Sequence, residues 1–488
     1  MSAERLVEVE PVDLPAAERV AAGASKTFRS YAPGQVLLMS PDAREWVPEG
    51  DLAHFVDDLV EEVLDLSAVY GGYVEERGFP PYDPRLMVKL LIYGYATGVT
   101  SSRKLETATH RDVAVRMLCA GQQPDYRAIA RFRKRHLPAL ADLFVQSLKL
   151  CRQAGLVGLG RLAVDGTKLR ANASRRKAMS YDRMVKAEAE LDVETKALRQ
   201  IAERVLAEAA AIDAAEDEQF GLDNHGDELP PELRRREDRL ARIREAKAAL
   251  EAEAKAAEEA RREEMRAEGR EPRTPPNGRD PFTPKPRAQR NFTDPESRIM
   301  KTGDGAFHQC YNAQAIVDDT CQVIVAAELS NVAPDAGQLS SVLDDLAANL
   351  QAIDADLSKG SVLLGDAGYF SESNIQITIG HGLDPLLATG RLKHNDPPPI
   401  APRGPIPKHA TPKQRMARKL KTKNGHAAYA RRKAIIEPVF GQMMTILAAR
   451  QLRLRGLVAA REQWRFDCAV HNLLKLHRNG GHAALNTG

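Results

Sequence analysis

Three acidic residues stand out for what surrounds them. Asp165 and Asp366 each close a short apolar run that reads as a strand, RLAV before Asp165 and SVLLG before Asp366. Glu437 is the lone carboxylate in YARRKAIIEPVFGQMMTILAARQLRLR, set between Arg432 and Lys433 and a hydrophobic wall. Carboxylates gathered without a cation repel one another, and each costs several kcal/mol to desolvate. A hard divalent cation removes that cost. Mg²⁺ prefers oxygen ligands and leaves positions for water and phosphate oxygens. Two such ions about 3.5–4 Å apart can activate an attacking oxygen and stabilise a leaving one. If the fold gathers Asp165, Asp366 and Glu437, the chemistry within reach is phosphoryl transfer, with these three as catalytic residues and metal ligands.

The elements that must position them fit a mixed architecture. With the charged middle of the chain set aside, the order is a strand with Asp165, two strands, a helix, a strand with Asp366, a variable stretch and a helix with Glu437. Strands interleaved with helices make an α/β (α+β) layer structure. CYNAQAIVDD and CQVIVAAEL read as two strands joined by the polar Asp318-Asp319-Thr320. Asp335 to Leu350 reads as an amphipathic helix, LDPLLATG as one more strand, and REQWRFDCAVHNLLKLHR as a closing helix.

The 488 residues are 43% hydrophobic, enough for one large or two to three ordinary domains with real cores. Lys and Arg (70) nearly balance Asp and Glu (67), so the net charge of +3 decides little. Its distribution decides more. No Asp or Glu occurs from Pro397 to Ile436, while Lys and Arg recur, a patch suited to a polyanion. Five sparse cysteines form no CxxC pair, which argues against structural zinc and suits a reducing compartment. MSAERLVEVEP lacks the apolar core of a signal peptide, and no apolar run is long enough to span a bilayer. A cytoplasmic location is the expectation.

Ahead of Asp165 the chain reads as helices. A loose tail over 1–30 leads to a short strand, YAPGQVLLMSP. The segment Asp51–Val69 puts Phe55, Leu59, Val63 and Leu66 on one helical face. Asp83 and Pro84 start a second helix, and Ser101-Ser102 a third. Asp125 caps a fourth that carries Arg127, Arg131, Arg133, Lys134 and Arg135. Several short helices with one basic member are what a helix-turn-helix reader of DNA needs; a solvated basic face is the alternative. After Asp165, Met184, Leu191, Leu198, Val205 and Ile212 recur every seven residues. GLDNHGDELPP breaks the pattern, and Ile243, Leu250 and Ala257 resume it. That reads as an antiparallel helical hairpin, a spacer or dimer arm. GREPRTPPNGRDPFTPKPRAQR returns from it as a Pro-rich basic linker. The expected division is a helical N-terminal domain over 31–155, a core over 156–175 and 288–478, and an inserted arm over 176–287.

AVDGTKLRANAS, TDPESRIMK with YNAQAIVDD, LLGDAGYF, and IIEPVFG followed by LRLRGL together resemble the DDE transposases of bacterial insertion sequences. The likeness is greatest to the branch with a long insert after the first aspartate, and it spans nearly the whole chain. Each motif alone is weak; all of them in this order are specific. The resemblance implies an RNase H-like catalytic core and dependence on Mg²⁺, with Mn²⁺ able to substitute. It also implies action on the inverted-repeat ends of a mobile element, joining of those ends to target DNA, and the triad Asp165, Asp366 and Glu437. The partners it implies are double-stranded DNA and further copies of the chain, as a homodimer or larger synaptic complex at the bacterial nucleoid.

Departures from the family pattern matter. Related enzymes often carry Tyr-x-x-Arg-x-x-x-Glu-x-x-x-x-x-x-Lys. Counting from Glu437, Lys433 holds the arginine position and Ala430 the tyrosine position, with Tyr429 one residue early; Arg432 keeps its spacing from Tyr429. Met444 holds the lysine position and cannot hold a phosphate: either the DNA end is bound more weakly, or Lys421, Lys423 or Arg450 substitutes. Arg131, Arg133, Lys134, Arg298, Lys421, Lys423, Tyr429, Arg432 and Lys433 form the expected DNA-contact set, with a structural salt bridge as the alternative for Arg298. Pro438 disfavours helical geometry at Glu437, which places that glutamate at a helix start or kink. Two other functions fit the same residues: a DNA-binding protein that has lost catalysis, and an RNase H-like endonuclease that does not join strands.

Overall fold

The computed structural model describes residues 42–73, 81–174, 177–198, 200, 231–267, 269–271, 280–390, 403–407 and 409–480. The expected tail, the YAPGQVLLMSP strand, the far end of the arm with Val205 and Ile212, and part of the Pro-rich linker lie outside them.

The N-terminal layer is helical. The expected helix over 51–69 is broken in three: α1 (Leu52–Asp58), a π turn (Leu59–Val63) and α2 (Ser67–Tyr70). Phe55 and Leu59 are still fully buried. In α3 (Pro84–Ala96), Asp83 accepts from Arg85 N and Pro84 fills the first turn, where its missing N–H costs nothing. α4 (Ser102–Arg111) and α5 (Val113–Leu118) follow. Asp125 Oδ1 caps α6 (Tyr126–Arg135) by accepting from Arg127 N and Ala128 N. α7 (Leu137–Gln153) then packs along the last helix, α15 (Leu457–Gly480), and joins this layer to the sheet.

The sheet centres on β1 (Arg161–Arg170). On one side β1 pairs antiparallel with β5 (Phe307–Asp318), whose far edge carries β4 (Arg298–Lys301) and β6 (Ile324–Ser330) in tandem. On the other side β1 runs parallel to β7 (Val362–Gly365), and β7 to β8 (Asp384–Leu387). The path β6-β5-β1-β7-β8 is a mixed sheet with flanking helices, the α/β class expected and consistent with an RNase H-like core. The open edge of β6 is covered by side chains. Asn472 of α15 bonds Ile324 N and O, both at 2.9 Å, while Asp345 and Asn349 of α10 (Leu339–Ala352) take Ala327 N and Val325 O. Edge groups satisfied in this way cannot template pairing with another chain.

The arm is an antiparallel helical pair. A helix over 181–198 (α8) packs on α9 (Pro231–Ala267) through Met184, Leu191, Leu240, Ile243, Ala246 and Leu250. Tyr181 meets Glu251, while Glu188 and Asp192 both meet Arg244, so the two helices run in opposite directions. Its base is a two-stranded ribbon, β2 (Ala178–Ser180) with β3 (Gln289–Asn291). The heptad stripe stops short on α9: Ala257 is exposed.

The C-terminal segment supplies α11 (Glu372–Gly380), α12 (Pro412–Lys421), α13 (Lys423–Ala430) and α14 (Arg432–Thr445), with α14 lying against β1 and β5. Pro438 sits inside α14, and Glu437 is the sixth residue of that helix rather than a starting residue. The proline has no N–H to give Ala434 O, and Gln322 Nε2 supplies the bond instead, at 2.9 Å. That outside donor lets the helix run through the expected break. Among the described residues, no helix is long and apolar enough to cross a membrane.

Candidate functional site

Asp165 and Asp366 lie side by side. β1 and β7 are parallel, with Ala163 opposite Leu364. Extending that register by two residues sets Asp165 beside Asp366, just past the end of β7. Asp366 Oδ1 accepts from Gly368 N at 2.8 Å and caps a short 3₁₀ turn, Ala367–Tyr369. Asp165 Oδ1 accepts from Gly166 N at 2.8 Å, and its Oδ2 accepts from Arg432 Nη1 at 3.1 Å. Both carboxylates are partly open to solvent.

The electrostatics follow from that placement. Burial pushes the Asp165 carboxyl up, and Asp366 adds to the rise; the Gly166 N–H and the Arg432 guanidinium pull it down without reversing it. Burial works against the charge of Arg432, but Asp165 and Tyr429 outweigh it and its pKa is raised. Tyr429 is half-buried, and that burial pushes its hydroxyl up while the neighbouring Arg432 guanidinium pulls it down. The pair of aspartates therefore carries a buried guanidinium as counter-charge.

Glu437 is carried by α14. α14 buries Arg432, Ile435, Ile436, Val439 and Met443, and leaves Glu437 exposed. Among the described residues, no group of three or more His, Cys, Asp or Glu side chains stands close enough to hold a metal ion. The fold brings two of the three expected carboxylates together. Asp165 and Asp366 offer hard oxygen donors open to solvent, which suits an oxygen-seeking divalent cation that keeps waters.

The expected DNA-contact residues divide. Arg131 and Lys134 are exposed on α6. Arg133 is a correction to that set: it is turned into the core and bonds Tyr95 Oη at 3.1 Å, Thr100 O at 2.9 Å and Ser102 Oγ at 3.2 Å. Residues 131 and 134 share a helical face, and residue 133 falls on the other. Arg298 is a second correction. It bonds Glu253 of the arm at 2.7 Å, and the carbonyls of Pro295 and Ser297. This contact is the salt bridge weighed as the alternative. Arg432 is a third, since it reaches Asp165 and not solvent. Lys421, Lys423 and Lys433 are exposed, Met444 is half-buried, and Arg450 Nε donates to Met444 O at 2.9 Å.

Residue types alone concealed one group at this site. Lys168, Asn312, Gln314, Asp335 and Tyr369 form a polar network on the face of the sheet away from Asp165, and it reaches the turn that Asp366 caps. Only the proximity of Lys168 and Tyr369 to the two aspartates in sequence hinted at it.

Two known domain families match the chain. Residues 41–135 match a transposase domain, and residues 405–477 match a transposase DDE domain. The first covers α1 to α6. The second holds Lys421, Lys423, Tyr429, Arg432, Lys433 and Glu437, and Asp165 and Asp366 lie between the two. No curated protein and no solved structure matches the chain.

Proposed function

We propose that this chain, a DDE transposase of the insertion-sequence type by the two transposase domains it carries, nicks DNA at the inverted-repeat ends of its element. The freed 3′ ends are then joined to target DNA by the same phosphoryl transfer. The observation that carries the reading is the placing of Asp165, on β1, beside Asp366, just past the end of the parallel strand β7. Asp165 and Asp366 would hold the divalent cation, Mg²⁺ or Mn²⁺. When bound there, the cation supplies charge stabilisation on the phosphate oxygens. Glu437, the only acid on α14, would be the third catalytic carboxylate.

The chain's own groups would divide the remaining work. Arg432 balances the charge of Asp165 and holds its carboxylate in one orientation. Exposed Lys421, Lys423 and Lys433, with Arg131 and Lys134, would hold the phosphate backbone, a role that fixes register without reading sequence. The protein would act on duplex DNA as a dimer or larger complex that pairs two ends.

The test is nicking of an end-bearing duplex by purified protein with Mg²⁺. Asp366→Ala should lower the rate by about 10²–10³-fold or more, with gel-shift affinity for the same duplex unchanged. Equal nicking by the two proteins would overturn the assignment. A second reading, a DNA binder without catalysis, is favoured by the exposure of Glu437 and by Met444 at the usual lysine position. End-specific gel shifts with no nicking in Mg²⁺ or Mn²⁺ would select it. Nicks without joined products would select an endonuclease.

A further inference from the structure

On the opposite side of the strand from Asp165, the sheet holds a polar network that the reading above leaves unused. Strand alternation turns Gly166 and Lys168 away from Asp165. Lys168 Nζ donates to Asp335 Oδ1 at 2.9 Å, and the same oxygen takes Asn312 Nδ2 and Gln314 Nε2, each at 2.9 Å. Gln314 Nε2 also reaches Asn312 Oδ1 at 2.9 Å, and Gln314 Oε1 accepts from the Tyr369 hydroxyl. Asn312, Gln314 and Tyr369 are 0%, 1% and 0% exposed. Tyr369 is the last residue of the turn that Asp366 caps. Its carbonyl is held by Asn374 Nδ2 at 2.7 Å, and that amide also reaches Ala336 O at 2.8 Å.

Buried amides and phenols are tolerated only with their partners in place, and a satisfied network then fixes one arrangement. β1 makes room for this one. A Cβ at Gly166 would stand 2.3 Å from Gln314 Nε2 and 3.0 Å from Asp335 Oδ1. The network also joins segments that the ladder alone leaves separate. β5 is bonded to β1, while the turn after β7 lies past the last β1–β7 pair, Ala163 with Leu364. Two neighbouring carboxylates push that turn away from β1, and the Tyr369–Gln314 bond ties it back to the β1–β5 pair.

We infer that Tyr369 and Gln314, themselves fixed by Asp335 and Lys168, are positioning residues that hold the Asp366 carboxylate beside that of Asp165. The inference rests on the proposed function, and its test separates the two. Full-length protein is titrated with Mn²⁺, with the free ion followed by electron paramagnetic resonance. The same preparations are assayed for single-turnover nicking and for gel-shift affinity. Tyr369→Phe keeps the ring and removes the hydroxyl. Outer-shell partners of this kind are worth about 10-fold or more. Mn²⁺ affinity and nicking rate should both fall about tenfold, with affinity for the DNA end within about twofold of wild type. Asp335→Ala should behave alike, while Asp335→Asn, which keeps an acceptor for the three donors, should recover most of the loss. A role in stability alone would lower the melting temperature without separating metal affinity from DNA affinity. Tyr369→Phe equal to wild type in Mn²⁺ affinity and rate, or losing DNA affinity in step, overturns the inference. Wild-type protein that neither binds Mn²⁺ nor nicks overturns the functional reading and this inference together. Should wild type do both, Asp366→Ala do neither and Tyr369→Phe match wild type, only the positioning role falls.

Discussion

Asp467 shows how far a single residue can depart from its sequence appearance. It lies in the middle of α15 at 2% exposure, acted on by Gln463 and by the guanidiniums of Arg133 and Arg453. Burial outweighs all three and pushes its carboxyl up to about 8. Below the ordinary carboxylate range both folded and unfolded chains hold the proton, and stability does not depend on this group. Between that range and about 8 the unfolded chain releases the proton and the folded chain keeps it. Unfolding is then favoured by about 1.4 kcal/mol for each pH unit climbed. Stability is lost as pH rises. Asp467→Asn has no proton to release, so its melting temperature should gain on wild type between pH 5 and pH 8. A difference that stays flat across that range would show Asp467 ionised in the fold. The arginine that faces it was the least legible residue of α6. In RAIARFRKR the cations look equivalent, and only packing against α3 and α4 decides that Arg133 is inside and Arg131 outside. Asp165 and Asp366 were legible because an acid that closes an apolar run is unusual. Gln314, Asp335 and Tyr369 were not, because ordinary residue types from three separate segments meet only in the fold.

At the scale of elements, period and cap were the readable signals. Asp83 with Pro84, and Asp125, start helices where local chemistry demands it. The seven-residue stripe gave the arm, which depends on side-chain spacing alone. What the stripe could not give was its end. On α9 the apolar contact stops before Ala257, and Glu258 is bonded by Arg261 and Arg262 instead. Pro438 misled for a related reason. Its effect on α14 is absorbed by Gln322, a residue more than a hundred positions away. The arm's core, in which Met184 is fully buried, is separate from the main core. Met184→Ala removes a buried side chain at a cost of about 2–5 kcal/mol. Since the arm shares no core with the sheet, that loss should appear as local opening. Hydrogen exchange should quicken over 181–198 and 240–250 and stay unchanged in β1, β5 and β7. Equal acceleration in the sheet would mean that the arm and the core unfold as one.

For the whole molecule, the question is which cations are available to a polyanion when the net charge is only +3. Counting residues cannot answer it, because the fold commits several of them. Arg133 is buried, Arg298 is tied to Glu253, Arg432 to Asp165 and Arg431 to Asp319. Lys421 and Lys423, on either side of the Thr422 cap of α13, are exposed in a stretch that has no acid from Pro397 to Ile436. A lysine on a phosphate releases a counterion, and each such contact contributes about −0.9 to the slope of log affinity against log salt. If both lysines rest on the duplex, Lys421→Ala with Lys423→Ala should make that slope shallower by about 2 and weaken binding to all sequences alike. Arg298→Ala should leave the slope where it was, because that guanidinium is already neutralised within the protein. Gel-shift titrations across salt concentrations measure both. A slope that moves with Arg298 and not with the two lysines would place the DNA path along the foot of the arm, away from α12 and α13.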